Sequence, residues 1–214
     1  MPRNRDGSRT REAVLVAAED LFADKGYAAT SLEEIGAAAG VSRGTPSYFF
    51  GSKEKLYRAV LDRLFARAYA ALAPAHAAAA RDSKDPREAI ESLIGAYLDF
   101  LAEDVNLVRL VHRETAERRT WLRETLEDAD VVQAAVGAFA SALGGAGADS
   151  AAAAHLVVNV AALVWYPFAQ AHTLLAVLGL DPRDRAFLEA QKRQITEVLL
   201  AASRATTPET DLSA

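Results

Sequence analysis

The stretch from Ser31 to Leu56 limits the fold more than any other part of the sequence, because its residues begin and end helices at short intervals. Ser31 followed by Glu34 has the spacing of a capping box and predicts a helix start, and Gly40 predicts its end about two turns later. A second short helix follows, after which Ser52 can cap a longer one. These signals predict two short helices around a tight turn, followed by a long helix.

The composition favours helices throughout. Alanine, leucine, glutamate and arginine dominate, while glycine and proline are sparse and a hydrophobic alternation of period two is almost absent. Apolar residues recur at the spacing of one helical face from Arg11 to Lys25, and Gly26 stands where a left-handed C-cap is wanted. We therefore predict an all-α chain whose first helix spans 11–25.

The rest of the chain is divided by a polar break, RDSKDP at 81–86, and a glycine-rich break, GGAGADS at 144–150. The apolar spacing predicts helices near 86–102, 105–116, 120–143, 150–178 and 183–204. The last two are joined by a short turn, so they should be antiparallel neighbours.

A membrane-spanning helix is the alternative for residues 150–180, which carry no formal charge. His155, Asn159, Gln170 and His172 interrupt this run with polar side chains, and Pro167 lies inside it. Its longest fully apolar piece is shorter than the about twenty residues that a span needs. We expect instead a helix that is apolar all round because it lies between its own domain and a partner subunit.

The charge of the chain is unevenly distributed. The net charge is −5, yet residues 1–11 and 41–58 each hold four basic residues against one acidic residue. Cysteine is absent, which excludes disulfides and thiolate metal ligands. Because no apolar run of signal-peptide length follows the basic N-terminus, we expect a cytoplasmic protein.

Motifs for catalysis or metal binding are absent from the sequence. It contains no phosphate-binding Gly-x-x-x-x-Gly-Lys, no Gly-x-Gly-x-x-Gly, no His-Glu-x-x-His and no Glu-x-x-His. The four histidines are scattered, whereas an active site needs titratable groups that converge. We expect no catalytic residue, no metal and no cofactor. An enzyme and a membrane-binding or protein-binding helical module are the alternative classes.

The segment AAEDLFADKGYAATSLEEIGAAAGVSRGTPSYFFGSKEKLYRAVL, within residues 11–64, resembles the TetR/AcrR family of one-component transcriptional repressors. It matches the family's Ala-x-x-Leu-Phe, Gly-Tyr, Ala-Gly-Val-Ser, Gly-Thr and Ser-Lys-Glu in order and at unbroken spacing. The resemblance implies a helix-turn-helix, three-helix DNA-binding domain over 1–51 with a flexible tail at 1–8. It also implies a larger helical ligand-binding and dimerisation domain over 52–204, followed by a disordered tail at 205–214.

The resemblance further implies a ligand-responsive regulator that acts as a repressor. Such a protein binds a palindromic operator on double-stranded DNA as a homodimer, here through the helices near 150–178 and 183–204. A small apolar or amphipathic effector would release it.

The DNA-contacting positions of the family correspond here to Thr30, Ser31, Ser42, Arg43, Gly44, Thr45, Ser47, Tyr48, Phe49 and Lys53. Arg43 can take a guanine bidentately, and Thr45 can meet a phosphate or a thymine methyl. Tyr48 and Lys53 fit phosphate contacts, while Phe50 is expected in the core and the direction of Phe49 is undecided. Pro46 and Ser47 stand where many relatives carry other residue types, so the operator preference is not transferred.

Two residues compete as the cap of the second short helix. Pro46 has no N–H, so it removes no hydrogen bond if Thr45 is the cap and only the first if Ser42 is the cap. A residue before proline avoids the α region, which favours Thr45, whereas the family pattern favours Ser42. We expect Ser42, with a distorted first turn.

Candidate effector contacts are aromatic and buried-looking polar residues of the later helices, because a pocket needs an apolar lining with a few placed polar groups. An aromatic residue at helical spacing is, however, more often ordinary core. The candidates are Tyr97, Phe100, Arg109, His112, Trp121, Phe139, Asn159, Trp165, Tyr166 and Phe168.

Overall fold

A computed structural model describes residues 3–81, 85–117, 120–128, 131–142 and 150–206. Within these ranges the regular elements are all helices, which confirms the predicted all-α class. In chain order they are α1 (Arg3–Lys25), α2 (Leu32–Ala38), α3 (Thr45–Phe50), α4 (Lys53–Arg81), α5 (Pro86–Glu103), α6 (Val105–Glu117), α7 (Trp121–Asp128), α8 (Val131–Ala142), α9 (Ser150–Ala169), α10 (Leu174–Val177) and α11 (Arg185–Thr206). Most of the tail expected at 205–214 lies outside the described residues.

Two of the predicted helices differ from the structure. Helix α1 begins at Arg3, so residues 3–8, expected in a tail, are helical. The helix predicted over 120–143 corresponds to α7 and α8, and residues 129–130 between them lie outside the described residues. The helix predicted over 150–178 ends at Ala169 and is followed by the single turn α10.

Pro167 explains how the end of α9 is held. A proline inside a helix has no N–H to offer the carbonyl four residues earlier, which here belongs to Leu163. The side-chain amide of Gln191, in α11, donates to that carbonyl at 3.1 Å. The hydrogen bond replaces the missing backbone donor and joins α9 to α11.

The chain forms two compact units. The first unit comprises Met1–Ala68 and Asp104–Ala129, and the second comprises Tyr69–Glu103 and Asp130–Ala214. Helix α4 contributes its N-terminal part to the first unit and its C-terminal part to the second, and α6 and α7 belong to the first unit.

The core of the first unit is built on the apolar face of α1. Val14, Ala18 and Phe22 recur every four residues and are fully buried, as the sequence predicts. Helix α1 packs against α2, α3 and α6, and α2 contributes the fully buried Ile35. Burying a side chain such as Phe22 stabilises the fold by about 1.5–3 kcal/mol.

In the second unit, α5 packs along α11, and α8 packs along α9. Helix α5 buries one stripe at helical spacing, made of Ile90, Leu93, Ile94, Leu98 and Leu101. At the surface of this pair Arg87 forms an ion pair with Glu197 at 2.7 Å. Among the described residues, no helix is both long and apolar enough to cross a membrane.

Candidate nucleic-acid interface

Helices α2 and α3 and the turn between them form a helix-turn-helix. Ser31 begins α2 with the predicted capping box: its hydroxyl accepts the Glu34 N–H, and its own N–H donates to the Glu34 carboxylate. Gly40 adopts a positive φ of 67° and turns the chain toward α3. The Val41 N–H donates to the Gly36 carbonyl at 2.9 Å, which closes the turn.

Pro46 fixes how closely α3 approaches α2. It is buried, and a Cβ added at Gly36 would lie 3.5 Å from its ring and 3.1 Å from the Ser42 carbonyl oxygen. Helix α3 and the turn before it therefore pack against α2 at Gly36, which has no side chain. The proline fills the contact between the helices, and its missing N–H costs nothing in the first turn of α3.

The cap expected at the start of α3 is wrong. The N-cap is Gly44, and no side chain caps the helix. The Thr45 N–H donates to the Ser42 carbonyl at 3.0 Å, so a single turn precedes the helix. The Ser42 and Thr45 hydroxyls hydrogen-bond to each other at 2.8 Å. These two hydroxyls form a polar pair at the surface instead of a cap.

The outer face of α3 and the turn that precedes it are exposed. Ser42, Arg43, Gly44 and Ser47 are exposed, and Tyr48 retains 83% of its accessible surface. Within the described part of the chain, the guanidinium of Arg43 has no hydrogen-bond or ion-pair partner.

The three aromatic residues of α3 take different directions. Phe50 is buried as expected, with the Arg11 guanidinium 4.8 Å from its ring centroid. Phe49 is half-buried and meets the exposed Tyr48 ring edge to face, at 5.1 Å between centroids.

Two predicted contact residues lie at the start of α2. Thr30 is buried, and its hydroxyl donates to the Gly26 carbonyl at 2.8 Å, so its side chain faces inward rather than outward. Ser31 is exposed, but its hydroxyl already serves as the cap. The Ser31 backbone N–H and the Lys25 ammonium, 3.0 Å away from the carboxylate, lower the pKa of Glu34 to about 2.

Lys53, the first residue of α4, is held by the loop between α1 and α2. Its ammonium lies 4.3 Å from the centroid of the Tyr27 ring and 3.4 Å from the Ala28 carbonyl oxygen. Ser52 caps the helix as predicted, accepting the Lys55 N–H at 3.2 Å. Residue spacing gives no signal for the contact with Tyr27, because the two residues come from separate elements.

An ion cluster around the buried Glu19 joins α1, α4 and the residue before α6. The carboxylate of Glu19 accepts hydrogen bonds from Arg63 at 2.9 Å and from Arg67 at 2.8 and 2.9 Å, and Arg67 also pairs with Asp104. Burial raises the pKa of Glu19, but the hydrogen bond and charge of Arg67 outweigh it, helped by Arg63 and Asn106. The pKa therefore lies below its ordinary value.

The ten candidate effector contacts are divided between the two units. Arg109, His112 and Trp121 belong to the first unit, where Arg109 and His112 line an open cavity of about 450 Å³ beside the end of α1. The other seven belong to the second unit. There Phe139 and Phe168 are buried, Tyr97, Phe100 and Trp165 are half-buried, and Asn159 and Tyr166 are exposed.

His76 is a buried polar residue of the second unit that the sequence reading left out. Its Nε2 lies 3.1 Å from the Tyr97 hydroxyl, and its Nδ1 has no partner within the described residues. Burial lowers the pKa of His76 and raises that of Tyr97. A histidine within an alanine-rich helix was the available signal.

Comparison with known families accounts for both parts of the chain. The family model of bacterial regulatory proteins of the tetR family matches residues 14–60, and the model of the tetracyclin repressor-like C-terminal domain matches residues 86–199. The chain belongs to the TetR family. The matches to these two models confirm the family and the domain types predicted from the sequence. TetR proteins are DNA-binding transcriptional regulators and not enzymes.

The similarity to individual TetR proteins extends over most of the chain. The transcriptional repressor NicS of Pseudomonas putida is 27% identical over 188 residues, covering 86% of this chain and 87% of NicS. A TetR-family regulator from Mesorhizobium loti has a similar structure, with a TM-score of 0.71, 23% identity and coverage of 92% and 97% of the two chains. FadR of Bacillus subtilis, solved with stearoyl-CoA, has a TM-score of 0.65, 17% identity and coverage of 89% and 97%.

Proposed function

We propose that the chain is a cytoplasmic, ligand-responsive repressor. It binds a palindromic operator as a dimer and leaves it when a small apolar or amphipathic effector binds. The observation that carries the proposal is the exposed surface of α3 and the turn before it, where Arg43, Ser47 and Tyr48 are exposed on a helix-turn-helix. We assign DNA contacts to residues 1–51 together with Lys53, and ligand binding and dimerisation to residues 52–204.

Base recognition is assigned to Arg43. A guanidinium can donate two parallel hydrogen bonds to N7 and O6 of guanine in the major groove. Because no described residue pairs with Arg43, DNA need not displace an internal partner. Gly44 and Ser47, small and exposed beside it, let the start of α3 approach base edges closely.

Phosphate contacts are assigned to residues on either side of α3. The exposed hydroxyl of Tyr48 can donate to a phosphate oxygen, and Phe49 supports its ring. At the start of α2 the Ser31 hydroxyl already accepts the Glu34 N–H, so we assign the phosphate contact there to backbone N–H groups of the first turn. We leave the Thr30 side chain out because it is buried.

Dimerisation is assigned to the second unit, because large apolar side chains are exposed on its last helices. Val177 of α10 retains 85% of its accessible surface. Exposed apolar patches of this kind usually mark a protein interface. A two-fold pairing of α9 and α11 with their copies would cover them and form a four-helix interface. The exposed residues are Val158, Tyr166, Leu174, Val177, Leu178, Leu180 and Val198.

An amphipathic effector suits the interior of the second unit. Phe139 supplies buried apolar surface, and its ring centroid lies 6.1 Å from that of Tyr97, whose hydroxyl and the neighbouring His76 supply polar groups. The similar FadR structure holds stearoyl-CoA. Fatty acids and their acyl-CoA esters are therefore the first compounds to screen.

Release requires only that the effector bind more tightly to a conformer that binds DNA poorly. We propose that α4, which continues from the first unit into the second, moves in this change. An effector that bound without altering DNA affinity would contradict this mechanism.

The deciding experiment measures binding to DNA taken from upstream of the chain's own gene, by fluorescence anisotropy at several salt concentrations. We expect an affinity that falls steeply with salt and falls again when an effector from the screen is added. DNA binding that does not depend on salt, or the absence of DNA binding, would contradict the proposed function. Light scattering tests for a dimer, and a promoter reporter separates a repressor from an activator.

Arg43→Ala tests base recognition. We expect the preference for the upstream DNA over a random duplex to fall by about 1–3 kcal/mol, with no change in thermal stability. Lys53→Ala is the matched control, because loss of a phosphate contact should weaken binding to both duplexes alike. If Arg43→Ala weakened both duplexes equally, Arg43 would be a phosphate contact instead.

A further inference from the structure

Lys53 occupies a position where its charge does not stabilise the helix it begins. A cation in the first turn of α4 meets the positive end of the helix dipole. The fold nevertheless holds its ammonium between the Tyr27 ring, 4.3 Å away, and the Ala28 carbonyl oxygen, 3.4 Å away. A long, flexible side chain is thus ordered at the surface before DNA is present.

Tyr27 is itself held in place from behind by an aromatic cluster, formed by Phe22, Tyr27, Tyr57 and Trp121. The Trp121 and Tyr57 rings meet Tyr27 edge to face, at 4.8 and 5.2 Å between centroids, and Phe22 stacks on it at 6.0 Å. The Tyr57 hydroxyl donates to Glu114 at 2.8 Å, which fixes that ring as well. The ring that faces Lys53 therefore has little freedom to turn away.

Core packing alone would account for the buried members of this cluster, Phe22 and Tyr57. It does not account for the half-buried Tyr27, which faces a cation. The ring attracts the ammonium through its negative face, an interaction that uses none of the ammonium's N–H donors.

We propose that Tyr27 is a positioning residue for DNA binding and that Trp121 supports it. The Tyr27 ring holds the Lys53 ammonium where a phosphate arrives, so that the entropic cost of ordering this side chain is met on folding and not on binding. The inference rests on the proposed phosphate contact of Lys53. It also moves Trp121 from the candidate effector contacts to the support of the DNA-binding surface.

The test is a double-mutant cycle between positions 27 and 53 in the full chain. The probe is a labelled random-sequence duplex of about 30 base pairs, longer than the one-turn spacing of two half-sites. Lys53→Ala should lower the slope of log affinity against log salt by about 0.9 per protomer. Tyr27→Leu should weaken binding about two- to fivefold per protomer. Tyr27→Phe keeps the ring, so this variant should bind DNA as tightly as the unaltered chain.

The coupling between the two residues decides the inference. In the Lys53→Ala background, Tyr27→Leu should cause no further loss, because there is no ammonium left to position. Lys55→Ala is the matched control: it removes the same charge two residues away, and its effect should simply add to that of Tyr27→Leu.

A graded series covers the case in which Tyr27→Leu does not fold. Phenylalanine and its mono-, di- and trifluorinated forms at position 27 keep the ring's shape while weakening its attraction for a cation. DNA affinity should decline stepwise along the series with Lys53 present and stay level in the Lys53→Ala background.

The outcomes separate the inference from the proposed function. If Tyr27→Leu weakens binding equally with and without Lys53, or the fluorinated series is flat, Tyr27 acts through the fold and the inference is wrong. If Lys53→Ala leaves the salt slope unchanged, the proposed phosphate contact itself is wrong. If the unaltered chain shows no salt-dependent binding, DNA binding by this surface is wrong.

Discussion

Among the residues that the structure describes, the first unit places charged groups in its interior, whereas the interior of the second unit is almost entirely apolar. Glu19 and Glu114 are buried in the first unit, and Glu19 is bound by two arginines. The second unit buries His76 beside Tyr97, together with Thr196. Charge-assisted hydrogen bonds are directional and fix geometry, while apolar contacts tolerate changes of shape. The first unit is thus built to present a fixed surface, and the second can adapt to a ligand.

The largest expected effect concerns the buried carboxylate of the first unit. Glu19→Gln removes the charge that pairs with Arg63 and Arg67. We expect the free energy of unfolding to fall by about 2–3 kcal/mol, below the usual cost of breaking a buried pair because both arginines are partly exposed. Chemical denaturation measures it. Glu127→Gln, in an exposed pair with Arg123, is the control and should change stability by less than about 0.5 kcal/mol.

The packing around a glycine in each unit can be compared by substituting it with alanine and measuring stability. Gly36→Ala places a Cβ 3.1 Å from a backbone oxygen in the helix-turn-helix, and should cost about 1–3 kcal/mol and weaken DNA binding. Gly137→Ala, in α8 with nothing within 4 Å, should stabilise the chain by about 0.5–1 kcal/mol. Thermal melting and anisotropy check both. Equal effects of the two substitutions would contradict the contrast.

The smallest expected effect is a difference in acid sensitivity. The folded pKa of His76 lies below 6.5, so its contribution to stability is present above that pH and is lost as the pH falls. The folded pKa of Glu19 lies below 4.5, so its contribution is lost only at lower pH. Between pH 7 and 5.5 the chain should therefore lose stability through His76. Denaturation of His76→Gln over this range should give a flatter profile; an unchanged slope would assign the loss elsewhere.

Short-range signals made the helix-turn-helix predictable. The spacing of Ser31 and Glu34 and the position of Gly40 act within one or two turns, so the elements they predict appear in the structure. The cap of α3 was mistaken because Ser42 and Thr45 both carry suitable hydroxyls, which bond to each other instead. Local propensity cannot decide between two hydroxyls that are equally able to accept the capping hydrogen bond.

Longer-range contacts were not predictable from one sequence. Helical spacing tells which face of α6 or α7 is apolar, but not which neighbour that face meets. Trp121 was therefore grouped with the effector contacts, although it packs on Tyr27 and Tyr57. Thr30 was expected to reach DNA because spacing gives its place before α2 but not its burial.

The hydrogen bond from Gln191 to the Leu163 carbonyl has a consequence for how this part of the family can vary. The carbonyl is available to a side chain only because Pro167 has no N–H to give it. A chain with any other residue at position 167 would pair the carbonyl within its own helix and would leave an amide at position 191 without this acceptor. Positions 167 and 191 should therefore change together during evolution, although they belong to different helices.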